Sequence, residues 1–203
     1  MNDTTSNSNK LSLYLILGIP VLGILLTTAY YFYVSSAELA VDTRNKGMLI
    51  QPPKNIAEAD IALQQQGKAY DWQPDSQGKW TFLVTGSGDC LASCRERLYL
   101  SRQIRLALGK YQPRIERVYL HTGAPLSDDS RAYLAAEHPQ LKIIESAGSA
   151  AQDWFRSEPP ALDLLQAGRL YLVDPAGWVM MYYTDAHDYK AVISDVKFLL
   201  KNS

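Results

Sequence analysis

Cys90 and Cys94 are the only cysteines in the 203-residue sequence, and they form a C-x3-C pair. They follow the turn Gly86-Ser87-Gly88-Asp89, itself preceded by an apolar run, so they fall at a strand-to-helix junction. Positions i and i+4 share one face of a helix, so the two sulfurs can converge. A helix N-terminus favours anions, which predicts a lowered pKa for Cys90 and makes it the more reactive thiol. Asp89 opposes this with its own negative charge, while serving as the expected N-cap. Three uses of such a pair follow: reversible disulfide exchange, soft-metal binding, or a fixed structural disulfide. His121 is the one candidate for a third metal ligand. It closes the strand Arg117-Val118-Tyr119-Leu120-His121, whose carboxyl end is expected at the same edge as Cys90. In open α/β sheets that edge carries ligand chemistry. His138, before Pro139, reads as a partner of a helix C-terminal dipole, and His187 falls in a loop with no assigned role. The sequence has no Ser/His/Asp nucleophile motif, P-loop or dinucleotide fingerprint.

The elements that must position the pair are legible from periodicity. Trp80-Thr81-Phe82-Leu83-Val84-Thr85, bounded by Gly78 and Gly86, reads as a buried strand. A helix is expected from about Cys90 to Leu108, with Leu91, Cys94, Leu98, Ile104 and Leu108 as its apolar stripe and Gly109 as its stop. Arg95, Arg97, Arg102 and Arg105 then read as a solvated face, or as a docking surface for an acidic partner. The strand ending at His121 follows, then a helix from Asp128 to Glu137 capped by Ser127. Leu141 to Ile144 reads as a third strand, and Asp153-Trp154-Phe155 as part of a short helix. Strands over 169–173 and 179–183 flank Asp174-Pro175-Ala176-Gly177, a hairpin turn. Tyr189, Val192, Ile193, Val196, Leu199 and Leu200 mark one face of a final helix. Trp72, Trp80, Trp154 and Trp178 read as packing residues. This strand-helix-strand-helix-strand order, closed by a hairpin and a helix, predicts an α/β fold: a thioredoxin-like domain with a central mixed sheet and flanking helices.

Composition sets the rest. Leu11 to Val34 carries no charge, and its 24 residues span ~36 Å as a helix against a hydrocarbon core of ~30 Å. Tyr30, Tyr31 and Tyr33 belong to an interfacial aromatic belt, and Pro20 and Gly23 are tolerated in a bilayer. The expected organisation is an N-terminal tail (1–10), a transmembrane helix (11–34), a linker able to hold short strands (35–78) and the thioredoxin-like domain (79–203). Lys10 on one flank and Arg44 and Lys46 on the other leave the orientation open. The chain has 20 Lys+Arg against 21 Asp+Glu, for a net charge of −1. That gives no electrostatic footprint for nucleic acid. At 47% hydrophobic residues the chain is not intrinsically disordered. The mean hydropathy of −0.17 averages a bilayer span with a soluble domain.

At these residues the chain resembles the Sco/SenC group of thioredoxin-like proteins. These are membrane-anchored copper chaperones and thiol–disulfide oxidoreductases that mature the copper centre of cytochrome c oxidase. The resemblance covers the anchor, the C-x3-C pair and Tyr171-Leu172-Val173-Asp174-Pro175-Ala176-Gly177. Trp80, Leu98-Tyr99, Arg102-Gln103-Ile104-Arg105-Leu106, Leu108-Gly109-Lys110 and Arg114-Ile115-Glu116-Arg117-Val118 look like a proteobacterial subgroup of cytochrome oxidase-associated membrane proteins. Asn45-Lys46-Gly47 through Pro52-Pro53 looks like that subgroup's linker motif. Sco chaperones add a distal copper-ligand histidine shortly before the YLxDPxG strand. Counting back from Tyr171, this chain has Gln166 there.

The resemblance implies a single-pass protein of the bacterial inner membrane with a periplasmic domain that assists cytochrome c oxidase assembly by thiol–disulfide exchange. Cys90 would attack and Cys94 resolve. Its partners would be the inner membrane and an oxidase subunit or the oxidase's assembly factors, with no nucleic acid. One alternative is a Cu(I)-binding module with Cys90, Cys94 and His121 as ligands. Another is a non-catalytic interaction subunit with a permanent disulfide.

Overall fold

A computed structural model describes residues 4–36, 45–146, 149–156, 164–165 and 168–202. The chain divides into two compact units, Met1–Thr43 and Arg44–Ser203. The first holds helix α1, Thr4–Ser36, with Pro20 inside it. Within α1, Tyr14–Tyr33 is long and apolar enough to cross a membrane.

The second unit is built on one sheet. In chain order it comprises β1 (Met48–Asn55), β2 (Gln64–Gln65), β3 (Lys68–Ala69), α2 (Trp72–Ser76), β4 (Trp80–Ser87) and α3 (Ala92–Ala107). A 3-10 turn over Gly109–Arg114 leads to β5 (Ile115–Thr122), α4 (Asp128–Glu137), β6 (Lys142–Ser146) and α5 (Ser149–Arg156). The hairpin β7 (Leu170–Val173) and β8 (Trp178–Tyr183) and helix α6 (Tyr189–Asn202) complete it. The strands lie in the order β1-β8-β7-β4-β5-β6-β2-β3. β4, β5 and β6 run parallel, and β7, β8 and β1 extend the sheet antiparallel. This is the expected thioredoxin-like mixed sheet.

Alternation along the strands divides the core. Phe82, Val84, Ile115 and Tyr119 face α3 and α6, meeting Leu98, Ile104, Val192 and Val196. Leu83, Val118, Leu120 and Tyr171 face the opposite layer with Trp72, Phe155 and Leu164. Each such side chain contributes about 1.5–3 kcal/mol through burial, so the central strand β4 is fixed from both sides.

Several sequence expectations change at this level. Residues 35–78 read as a linker with short strands; within them β1, β2, β3 and α2 belong to the sheet unit, and β1 pairs with β8. Pro52 and Pro53 cannot donate to a ladder, and the β1–β8 register shifts between Leu49 and Lys54. The turn at Asp174 is as expected: its Oδ1 accepts from Ala176 N at 2.9 Å and Trp178 N at 2.8 Å. Gly177 O then accepts from Ile56 N at 2.9 Å, tying the hairpin to the end of β1. Leu91 leaves the apolar stripe: it precedes α3 and is 68% exposed. Tyr189, at the start of α6, is half-exposed rather than packed, and Trp178 is also exposed.

The arginine face of α3 is only partly solvated. Arg97 is buried and ion-pairs with Asp185, and Arg105 Nε donates to Ile115 O at 2.7 Å. Arg105 reaches the first residue of β5, and Arg97 reaches the exposed Asp185 in the loop before α6. Gln166 lies outside the described residues.

Candidate functional site

Cys90 and Cys94 are joined as a disulfide, with Cα atoms 5.2 Å apart. They sit just beyond the carboxyl end of β4, beside the parallel strand β5. The turn that delivers them demands its glycines. A Cβ on Gly86 would lie 2.5 Å from the Tyr119 hydroxyl oxygen, and Gly88 has φ +98°. The backbone therefore passes close over Tyr119 and then reverses in a conformation that side chains rarely adopt.

Side chains from three elements hold this turn. His121, in register with Gly86, approaches Gly88 O at 3.0 Å through Nε2. A carbonyl only accepts, so Nε2 carries the proton. Asp89 Oδ1 accepts from Ser127 N at 2.9 Å, while Ser127 Oγ caps α4 by accepting from Ser130 N at 3.2 Å. Arg95 Nε donates to Cys90 O at 2.9 Å, and its guanidinium lies 4.1 Å from the Tyr133 ring. The disulfide turn, β5 and the start of α4 are thus one hydrogen-bonded assembly.

This geometry revises the sequence reading. α3 begins at Ala92, and its N-cap is Leu91, in extended backbone with no side-chain cap bond. Asp89 is not the cap because its carboxylate is engaged by Ser127. Those Ser127 hydrogen bonds, from backbone first and side chain second, hold its pKa below the ordinary carboxylate range. It therefore stays ionised next to Cys90. The two cysteines also differ in burial. Cys90 is 0% exposed, whereas Cys94 is half-buried. Cys94 is therefore the more exposed residue of the pair.

His121 is buried, and burial, the largest influence, lowers its pKa. Its ring is neutral at neutral pH and bound to Gly88. Among the described residues no three His, Cys, Asp or Glu side chains gather as a metal-binding group. The structure thus joins Cys90 to Cys94 and ties His121 to their turn without assembling a three-ligand set. His187 accepts from Thr184 N at 3.0 Å, closing its own loop.

His138 is a dipole partner in neither charge nor exposure. It is buried, and burial, with Arg117 and Arg102 adding to it, brings its pKa down to about 4. Sequence reading missed Arg95, Tyr133 and Ser127 as supports of the turn. Their contacts join separate elements, and no local spacing signals them.

Comparison with known proteins matches this architecture. The family model described as transmembrane-like, thioredoxin-like, C-terminal domain matches residues 80–203. Yeast Sco1 aligns with a TM-score of 0.57 at 14% identity, over 70% of this chain and 93% of that one. Arabidopsis thaliana ScoI with copper bound aligns with a TM-score of 0.50 at 20% identity, over 70% of this chain and 97% of that one. BsSco, a member of the Sco family of cytochrome c oxidase assembly proteins in which a disulfide switch was identified, aligns with a TM-score of 0.52 at 16% identity, over 77% of this chain and 99% of that one. At these identities the likeness is one of fold. No curated protein matches in sequence.

Proposed function

We propose, from the premise that this chain belongs to the transmembrane-like, thioredoxin-like C-terminal domain family, that it is a membrane-anchored factor assisting cytochrome c oxidase assembly by thiol–disulfide exchange. One observation carries the reading: a disulfide at the start of α3 that joins a fully buried cysteine, Cys90, to a half-buried one, Cys94. The oxidase connection rests on the sequence resemblance and on the structural likeness to Sco proteins. Within that group, Gln166 at the position expected for the distal histidine favours the proteobacterial subgroup without that ligand. A disulfide of this kind suits an oxidising compartment, which favours a periplasmic domain on the bacterial inner membrane.

The exchange proceeds through Cys94. A partner thiolate attacks Cys94 Sγ, a mixed disulfide forms there, and Cys90 leaves as the thiolate. The positive end of α3 stabilises that leaving group. A second partner thiolate releases Cys94, so the partner dithiol is oxidised and the pair is reduced. In reverse, reduced Cys94 opens a partner disulfide and Cys90 resolves it, which would keep oxidase copper-site cysteines reduced. The exposed Leu91 beside the pair offers the partner an apolar contact.

The test is mixed-disulfide trapping on the full chain with a model peptide disulfide. C90S accumulates a stable adduct through Cys94, and C94S does not. Adducts confined to C94S, or exchange that survives loss of both cysteines, sink the scheme.

A second reading has Cu(I) as cargo on Cys90, Cys94 and His121, favoured by the copper-bound Arabidopsis thaliana and yeast relatives. The disulfide form offers no thiolate, and His121 Nε2 holds Gly88, so loading requires reduction first. Anaerobic Cu(I) titration of the reduced chain decides it. Uptake unchanged in H121A would remove His121 from the ligand set.

A further inference from the structure

Away from the disulfide turn, a cavity of about 220 Å³ is lined by Arg102, Arg105, Gln112, Arg117, His138 and Gln140. Its walls come from α3, the following 3-10 turn, β5 and the end of α4. Arg117 projects from the fully buried strand β5 and is itself only 3% exposed. Its Nε donates to Ser101 Oγ at 2.9 Å and its Nη2 to Leu98 O at 2.7 Å. Both acceptors are neutral. Among the described residues, no carboxylate forms an ion pair with Arg102, Arg105 or Arg117. A buried guanidinium without a counter-ion is costly, and Arg105 and Arg102 add charge of the same sign.

The other donors point the same way. Arg102 Nη1 donates to Glu137 O at 2.9 Å, and Arg105 Nη1 to Gln140 Oε1 at 2.7 Å. These bonds use only part of the five donors on each guanidinium. His138 Nδ1 lies 3.4 Å from Arg117 Nη2. A guanidinium cannot accept, so Nδ1 accepts and the imidazole proton sits on Nε2. That Nε2 is buried without a hydrogen-bond partner, on a residue 3% exposed. Gln140 spends its oxygen on Arg105 and keeps its amide hydrogens. The cavity therefore presents positive charge and unspent N–H donors, and no carboxylate lines it, which is what an oxyanion requires.

We propose that this cavity is a binding site for a phosphate-type oxyanion, held by Arg102, Arg105 and Arg117 with His138 in its wall. Bidentate guanidinium contacts suit tetrahedral oxyanions. The proposal is independent of the thiol chemistry. Two sources share the required chemistry: free inorganic phosphate, and the phosphomonoester headgroup of a lipid such as phosphatidic acid.

The experiment is calorimetric titration of the full chain in zwitterionic detergent at low ionic strength. One arm uses inorganic phosphate and the other short-chain phosphatidic acid. Saturable binding is expected in at least one arm. Tighter binding of phosphatidic acid assigns the site to a headgroup, and equal or weaker binding assigns it to free phosphate. R102Q, at an exposed position whose loss leaves the core intact, is expected to weaken binding at least tenfold. K197Q, an equal charge change on the exposed side of α6, is expected to leave it unchanged. In parallel, the His138 ring nitrogen resonances should shift on saturation while those of His187 stay fixed. No binding in either arm, equal weakening by R102Q and K197Q, or an unmoved His138 would overturn the proposal.

Discussion

Removing the Cys90–Cys94 bond should cost the fold little, and the magnitude follows from the small ring it closes. The cysteines are four residues apart, and the chain-entropy relation gives about 2 kcal/mol for a ring of roughly five residues, against about 4.7 for one of 100. Both sulfurs also keep their places at the start of α3, where backbone hydrogen bonds and the Arg95 and Asp89 contacts persist without the bond. The reduced protein, and C90S/C94S, should therefore remain folded and melt roughly 4–8 °C lower, since each kcal/mol moves the midpoint of a unit this size by about 2–4 °C. The assay is thermal unfolding of the reconstituted full chain, oxidised and reduced, followed by tryptophan fluorescence. Loss of the cooperative transition on reduction, or a destabilisation above about 5 kcal/mol, would refute the reasoning. The bond would then be a staple that the fold requires, and exchange chemistry at this site would be excluded.

Two further predictions concern buried polar groups. His138 is held down to about 4 by burial, then Arg117 and Arg102, against about 6.5 in the unfolded chain. Its contribution to stability is therefore complete above pH 6.5 and is lost as pH falls toward 4. H138Q should remove up to one proton of unfolding uptake in that window, measured by denaturation across pH in buffer free of oxyanions; superimposable pH slopes for H138Q and the parent would contradict the assignment. Asp195, buried on α6, accepts from Lys46 N at 2.8 Å, Gly47 N at 2.9 Å and the Tyr183 hydroxyl at 3.3 Å. D195A strands these donors and should cost about 2–4 kcal/mol in urea unfolding, whereas a change within 0.5 kcal/mol would show that the Asn45-Lys46-Gly47 segment is not anchored there.

What the sequence made legible was what local periodicity encodes. The apolar run at Trp80–Thr85, the Ser127-capped helix and the Asp174–Gly177 hairpin each carry their signal within a few residues. β1 does not, because Pro52 and Pro53 interrupt its alternation and its partner β8 lies far along the chain. The start of α3 shifts to Ala92 because Asp89 bonds to Ser127 in another element, which no N-cap pattern encodes. Arg117 and His138 resist sequence reading for the same reason. A charged residue in a strand ordinarily marks its solvent face, yet all of β5 is buried. The cysteine pair was visible from type and spacing, but which of the two is the more deeply buried depends on how the turn packs over Tyr119 and β5.

The central claim, that Cys90 and Cys94 form an exchanging pair, is tested most directly by an equilibrium redox titration of the full chain. The protein would be poised in thiol–disulfide buffers, quenched by alkylation and weighed. The account predicts one two-electron transition, complete within the range of biological thiol couples, with the folded state kept on both sides. A pair that stays oxidised below about −300 mV, the range of structural disulfides, would contradict it.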